Sequence, residues 1–88
     1  HTNSNSACLI TQRKGEGNRL HYHPDWDEWW YITLGSWSFY IDGATYTVSK
    51  GDLVLIPRNT LHKITAVGSD LNSRLAVSRQ DVIHSYPI

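Results

Sequence analysis

The sequence predicts an all-β chain folded as a jelly roll or small barrel. Three observations carry that expectation. No stretch shows convincing helical periodicity. About eight short runs rich in β-branched, aromatic and aliphatic residues follow one another at close spacing. Glycine, Asp-Gly and proline turn signals separate those runs.

Taken in order, His1–Ser6 is polar and turn-rich and reads as a disordered, tag-like start, leaving 7–88 as one domain. Ala7–Gln12 is a first β-prone run, and Arg13–Asn18, with two glycines, is a loop. Arg19–His23 alternates as a strand does, and Pro24–Asp27 turns. Glu28–Leu34 is the strongest strand, with Glu28, Trp30, Ile32 and Leu34 on one face and Trp29, Tyr31 and Thr33 on the other. Gly35 breaks it. Trp37–Ile41 places Trp37, Phe39 and Ile41 on one face, and Asp42-Gly43, the best hairpin signal in the chain, joins it to Thr45–Val48. After the Lys50-Gly51-Asp52 turn, Leu53–Ile56 is wholly apolar and reads as a buried strand. Pro57–Leu61 turns, His62–Val67 returns, and a last strand is expected over Arg74–Arg79.

Composition narrows the function classes. Formal net charge is zero and there is no basic stripe, which argues against nucleic acid and against an anionic membrane surface. No apolar run approaches a membrane span. One cysteine, Cys8, permits no internal disulfide and fits the reducing cytoplasm; a buried, inert thiol is expected. The five histidines and four tryptophans are many for 88 residues.

Strand alternation places Arg19, His21 and His23 on one face, Glu28 on the inward face of the next strand, and His62 in register with Ile64 and Ala66. Polar groups on apolar faces need partners, and one shared cation would satisfy all four. His21 and His23 alone fit ordinary hydrogen-bonded core histidines better than they fit metal ligands. Glu28 and His62, framed by Gly15, Gly35, Gly51 and Pro57, turn the balance to a divalent metal held by His21, His23, Glu28 and His62. Three imidazoles and a carboxylate leave open positions on a six-coordinate ion. Fe, Mn and Ni come first for such a site; Zn, Co and Cu also fit.

These residues resemble the cupin superfamily. Its first motif, Gly-x5-His-x-His-x3–4-Glu-x6-Gly, is met in full by Gly15, His21, His23, Glu28 and Gly35. Its second, Gly-x5-Pro-x-Gly-x2-His-x3-Asn, is met by Gly51, Pro57 and His62, with Asn59 in place of the glycine and Ala66 in place of the asparagine. Asn59 tolerates the left-handed backbone the turn needs. The resemblance implies a single jelly-roll barrel, the double-stranded β-helix, with His21, His23, Glu28 and His62 as ligands. The text from Leu20 to Pro24 and Glu28-Trp29 looks most like oxalate decarboxylases and germins, which hold Mn. Their substrate-binding arginine lies three residues before the first histidine, whereas Arg19 lies two before His21, and this chain has no room for their longer lid loop; oxalate chemistry is not carried over.

Around the metal, Arg19 is a candidate clamp for a substrate carboxylate, or else pairs with an acid such as Asp25 or Asp27. Trp30, Tyr40 and Tyr46 are candidate substrate-binding residues, with core packing the competing role for Trp30. No dedicated general base, and so no catalytic side chain, stands out. Trp29 and Tyr31 point away from the ligands and predict a homodimer face. His1 and His84 lie outside the pattern and are expected at the surface. The reading is a metal-dependent enzyme on a small organic acid or chelating metabolite, with dioxygenase chemistry first and decarboxylase, lyase or isomerase chemistry after it. The alternatives are a non-catalytic module binding a sugar or metabolite and a barrel merely stapled by its metal.

Overall fold

The computed structural model describes residues 6–24 and 26–78. Seven strands form among them: β1 (Ser6–Gln12), β2 (Glu28–Leu34), β3 (Ser36–Ile41), β4 (Ala44–Ser49), β5 (Leu53–Ile56), β6 (His62–Ala66) and β7 (Asn72–Ser78). The expected start over 1–6 lies outside the described residues save Ser6, which opens β1. His1, Asp25, Arg79 and His84 also lie outside them. No helix of the described residues is long and apolar enough to cross a membrane.

The strands make two antiparallel sheets, one ordered β1-β7-β2-β5 and the other β4-β3-β6. The fold is the expected all-β double-stranded β-helix. Its core lies between the inner faces, where Trp30, Ile32, Val54, Ile56 and Ala76 meet Trp37, Phe39, Ile64 and Ala66. The β3–β4 hairpin turns at Asp42-Gly43, both at positive φ (45° and 90°), as a two-residue turn matching the strand twist requires.

The structure departs from the sequence reading at several points. Arg19–His23 is not a continuous strand. Residues 15–22 lie along β6 through isolated bridges at Gly17–Thr65 and His21–His62. The ladder is interrupted because the Asn18 side-chain oxygen accepts the Ile64 N–H (2.8 Å) in place of a backbone carbonyl. Leu53–Ile56 is not fully buried: β5 is a sheet edge, and Leu53 and Leu55 are 67% and 63% exposed while Val54 and Ile56 point inward. Leu34 leaves the inner face and is exposed, because the β2–β7 register shifts between Ile32 and Leu34. The last strand begins two residues early, at Asn72. Cys8 is exposed rather than buried, since β1 is the other edge of its sheet.

Candidate metal centre

Three backbone devices bring the four candidate ligands together. His21 and His62 exchange backbone hydrogen bonds, His21 N–H to His62 O at 3.0 Å and His62 N–H to His21 O at 2.9 Å, which seats the two imidazoles side by side. The turn before β6 is tied back to the other histidine by Asn59 N–H to His23 O (2.6 Å). Asn59 takes φ 63°, the left-handed conformation a glycine would otherwise supply. Asp27 accepts the Arg58 N–H at 2.7 Å and pairs with its side chain at 3.4 Å, closing the same turn from the far side. That backbone bond, followed by the Arg58 side chain, holds the exposed Asp27 carboxyl below its ordinary range. Asp27 is therefore engaged by Arg58.

His21, His23 and His62 are buried, and Glu28, the first residue of β2, is half-buried. One ligand atom from each lies within 4.8 Å of the others. Ligand atoms about 2.1 Å from a common ion sit about 3 Å apart when adjacent and about 4.2 Å apart when opposite, so binding an ion would draw the four inward. The His62 Nδ1–H donates to Thr60 O (2.9 Å), which leaves Nε2 as the lone-pair nitrogen. That Nε2 is buried, has no hydrogen bond, and stands 4.0 Å from Glu28 Oε1. Burial above all pushes the His62 pKa down to about 4, against the Thr60 bond that raises it, so the ring is neutral at pH 7. His21 likewise directs Nδ1 at a carbonyl, that of Arg19. These two carbonyls are the acceptors that orient ligating imidazoles, which the sequence left unidentified.

Glu28 is held from two sides. Oε1 lies 2.8 Å from His23 Nε2, and Oε2 accepts the Trp30 indole N–H at 2.9 Å. Burial raises its pKa, but the hydrogen bonds from His23 and Trp30 and the histidine charges outweigh it and hold the group below its ordinary value. A neutral imidazole with its lone pair inward and an ionised carboxylate are the protonation states a dication needs. The donor set fits.

A cavity of about 260 Å³ opens onto two of these ligands, His21 and Glu28. Arg19 and Trp30, both expected around the substrate, line it. Trp30 is also wholly buried in the core, so its two candidate roles coincide. Tyr40 and Tyr46 do not line it. Tyr40 has the parity opposite to buried Trp37 and Phe39 and faces outward. Tyr46 stands opposite Phe39 but on the edge strand β4, where it is largely exposed. Ile10, Asn18 and Arg74 complete the lining and were not singled out from the sequence.

The sequence model of the family described as Cupin domain matches residues 8–78. Among curated proteins, Protein SchB of Streptomyces halstedii is 33% identical over 63 residues, covering 72% of this chain and 45% of that protein. The chain thus spans less than half the length of the curated relatives it matches. Among solved structures, a predicted oxalate decarboxylase from Thermotoga maritima superposes with a TM-score of 0.80 at 26% identity, covering 83% of this chain and 64% of that one. KdgF from Halomonas sp. superposes with a TM-score of 0.81 at 24% identity, covering 91% and 73%.

Proposed function

This chain belongs to the cupin family, and on that premise we propose that it is a metal-dependent enzyme acting on a small organic acid or chelating metabolite. The observation that carries this reading is the buried, unbonded His62 Nε2, aimed with two further imidazoles and Glu28 at a point beside a ligand-sized cavity. A divalent metal there, with Fe, Mn or Ni first, would supply Lewis acidity and a binding position for substrate or dioxygen.

The protein's own groups have defined tasks in this reading. Thr60 and Arg19 carbonyls fix two imidazoles in the tautomer that faces the site. Trp30 holds the Glu28 carboxylate through Oε2, leaving Oε1 toward the histidines. Arg19, at the cavity wall, is placed to receive a substrate carboxylate. Among the described residues the cavity lining holds no carboxylate or imidazole outside the ligand set, which favours chemistry driven at the metal over a side-chain base. Dioxygenase chemistry is therefore tested first, then decarboxylation, lyase and isomerase chemistry. The single free cysteine supports a cytoplasmic setting.

The deciding experiment measures oxygen uptake and product formation by Fe(II)-, Mn(II)- and Ni(II)-loaded protein across a panel of small acids. Turnover that disappears in His62→Ala supports the enzyme. Ligand binding without turnover under every metal supports a non-catalytic metabolite-binding module instead.

We further propose that the chain is a homodimer through the outer face of the four-stranded sheet. The register stacks Leu9, Leu75, Tyr31 and Leu53 in one cross-strand row and Ala7, Val77, Trp29 and Leu55 in the next. Two adjoining apolar rows running across all four strands make a patch that favours burial against a second copy.

A further inference from the structure

Arg74 is the one buried cation of the described core, and it stands outside the candidate ligand set. It sits on the inner face of β7, between Ile10 of β1 and Ile32 of β2, and is 3% exposed. Its guanidinium carbon lies over two indole rings, 5.1 Å from the Trp30 centroid and 4.6 Å from that of Trp37. Its one hydrogen bond runs from Nη1 to Gln12 Oε1 (3.0 Å). Among the described residues Nε is buried and has no partner, and no carboxylate lies within ion-pair distance of Arg74. A guanidinium carries five N–H donors, all in its plane. Two aromatic contacts over the faces and one bond at the edge leave most of those donors unused. Glu28 attracts this charge only from beyond ion-pair distance, and a charge buried this deeply with no anion in contact is costly.

Arg74 lines the same cavity as Glu28 and His21, with Trp30 beside it. We propose that Arg74 is the buried acid-recognition residue of this cavity, beneath the exposed Arg19 at its wall, and that the natural ligand is a small dianion. One end would meet the metal centre and a carboxylate at the other would take the in-plane N–H edge of Arg74. The inference deepens the metal-dependent reading above and rests on it for the chelated end. Charge counting fixes the class. A dication with three neutral imidazoles and Glu28 carries a net charge of about +1, and Arg74 adds a second buried positive charge; Arg19, also in the lining, is exposed and screened by solvent, so it is left out of the count. A monoanion leaves one of the two uncompensated; a dicarboxylate balances both. Carboxylate and guanidinium also match as a bidentate pair, which a neutral sugar hydroxyl does not. The cavity, about 260 Å³, suits a small metabolite.

The test uses two separate readouts on the whole chain. Mn(II) binding is followed by electron paramagnetic resonance. Binding of malonate and succinate, against acetate and butyrate, is followed by calorimetry and by the fluorescence of the indoles flanking Arg74. Wild type should prefer each dicarboxylate over its monoacid counterpart at least tenfold. Arg74→Gln should erase that preference while binding Mn(II) within about threefold of wild type. Arg74→Lys, which keeps the charge and loses the fork, should recover part of it and guards against a folding defect in the glutamine variant. Mn(II) binding without an Arg74-dependent preference overturns this inference and leaves the metal centre standing. An Arg74-dependent preference in protein that fails to bind Mn(II) overturns the metal reading and leaves the role of Arg74 standing. If Arg74 served only as packing between two indoles, Arg74→Gln would lower the melting temperature and leave dicarboxylate affinity unchanged.

Discussion

Single side chains decide the protonation chemistry of this site. His62 is neutral in the folded protein down to about pH 4, whereas an unfolded histidine protonates near 6.5. Between those values the unfolded chain holds a proton that the folded chain does not, so stability rises with pH across that window and is lost as pH falls through it. The loss is on the order of 3 kcal/mol for metal-free protein, readable as a drop in urea midpoint from pH 7.5 to pH 4.5 in the presence of chelator. His62→Gln should flatten that slope; an unchanged slope would assign it elsewhere. Trp30 acts through Glu28. Trp30→Phe keeps the ring in the core and removes the N–H that Oε2 accepts, so metal affinity should fall about tenfold by competition against a chromophoric chelator, with little change in fold. Equal affinity would reduce Trp30 to packing. At this scale the sequence disclosed the four candidate ligands because their spacing is rigid along two short segments. It did not disclose Arg74. Leu75 and Val77 are the apolar pair of that strand, so pattern alone turns them inward and leaves Arg74 at the surface; the structure does the reverse.

Elements obey the same limit. Interior strands β2 and β3 were legible to within a residue, because alternation and a strong turn pin them. Leu53–Ile56 misled because it is apolar on both faces, and only the sheet order reveals that one face is the core and the other the outside. The junction before β3 rests on a contact no local pattern encodes. Asn72, fully buried, accepts the Ser36 N–H and donates to the carbonyls of Gln12, Gly68 and Asp70. A Cβ at Gly35, which has φ +76°, would come within 2.1 Å of the Asn72 oxygen. Asn72→Ala should cost about 3 kcal/mol because it removes a buried amide that four part-buried backbone groups share, and Gly35→Ala should cost a similar amount, about 3 kcal/mol. The double variant should cost less than the sum, since trimming the Asn72 amide vacates the space the new methyl needs; strict additivity in a double-mutant cycle would deny that they share one strain. The outer face of the four-stranded sheet is also an element-scale property. Tyr31→Lys with Leu55→Lys places two charges in adjoining apolar rows and should convert a sedimenting dimer to monomer, with metal content unchanged. A wild-type monomer at 10–100 μM (roughly the range in which weak interfaces still associate) would dispose of the dimer.

For the whole molecule, size and metal are linked. An 88-residue chain buries a modest share of its surface, so its two sheets hold together by a narrow margin. The candidate centre lies where they must stay closed: Glu28 comes from the four-stranded sheet, His62 from the three-stranded one, His21 from the segment lying along β6, and His23 from the residues just after it. A cation bound by all four would cross-link the layers and would have no equivalent site in the unfolded chain. Its stabilisation follows RT ln(1 + [M]/Kd), about 4 kcal/mol at a thousandfold excess over Kd. For a domain of this length that corresponds to a rise in melting temperature of roughly 15 °C or more. Adding Mn(II) to chelator-treated protein should produce that rise in a calorimetric scan, and His62→Ala should melt at one temperature with or without the ion. The variant separates a cross-link at the centre from ions adsorbed elsewhere, because surface binding would shift both proteins alike. A wild-type melting temperature indifferent to Mn(II), Fe(II) and Ni(II) would mean that the three imidazoles and Glu28 hold the barrel through their own hydrogen bonds, and the case for metal chemistry would fall with it.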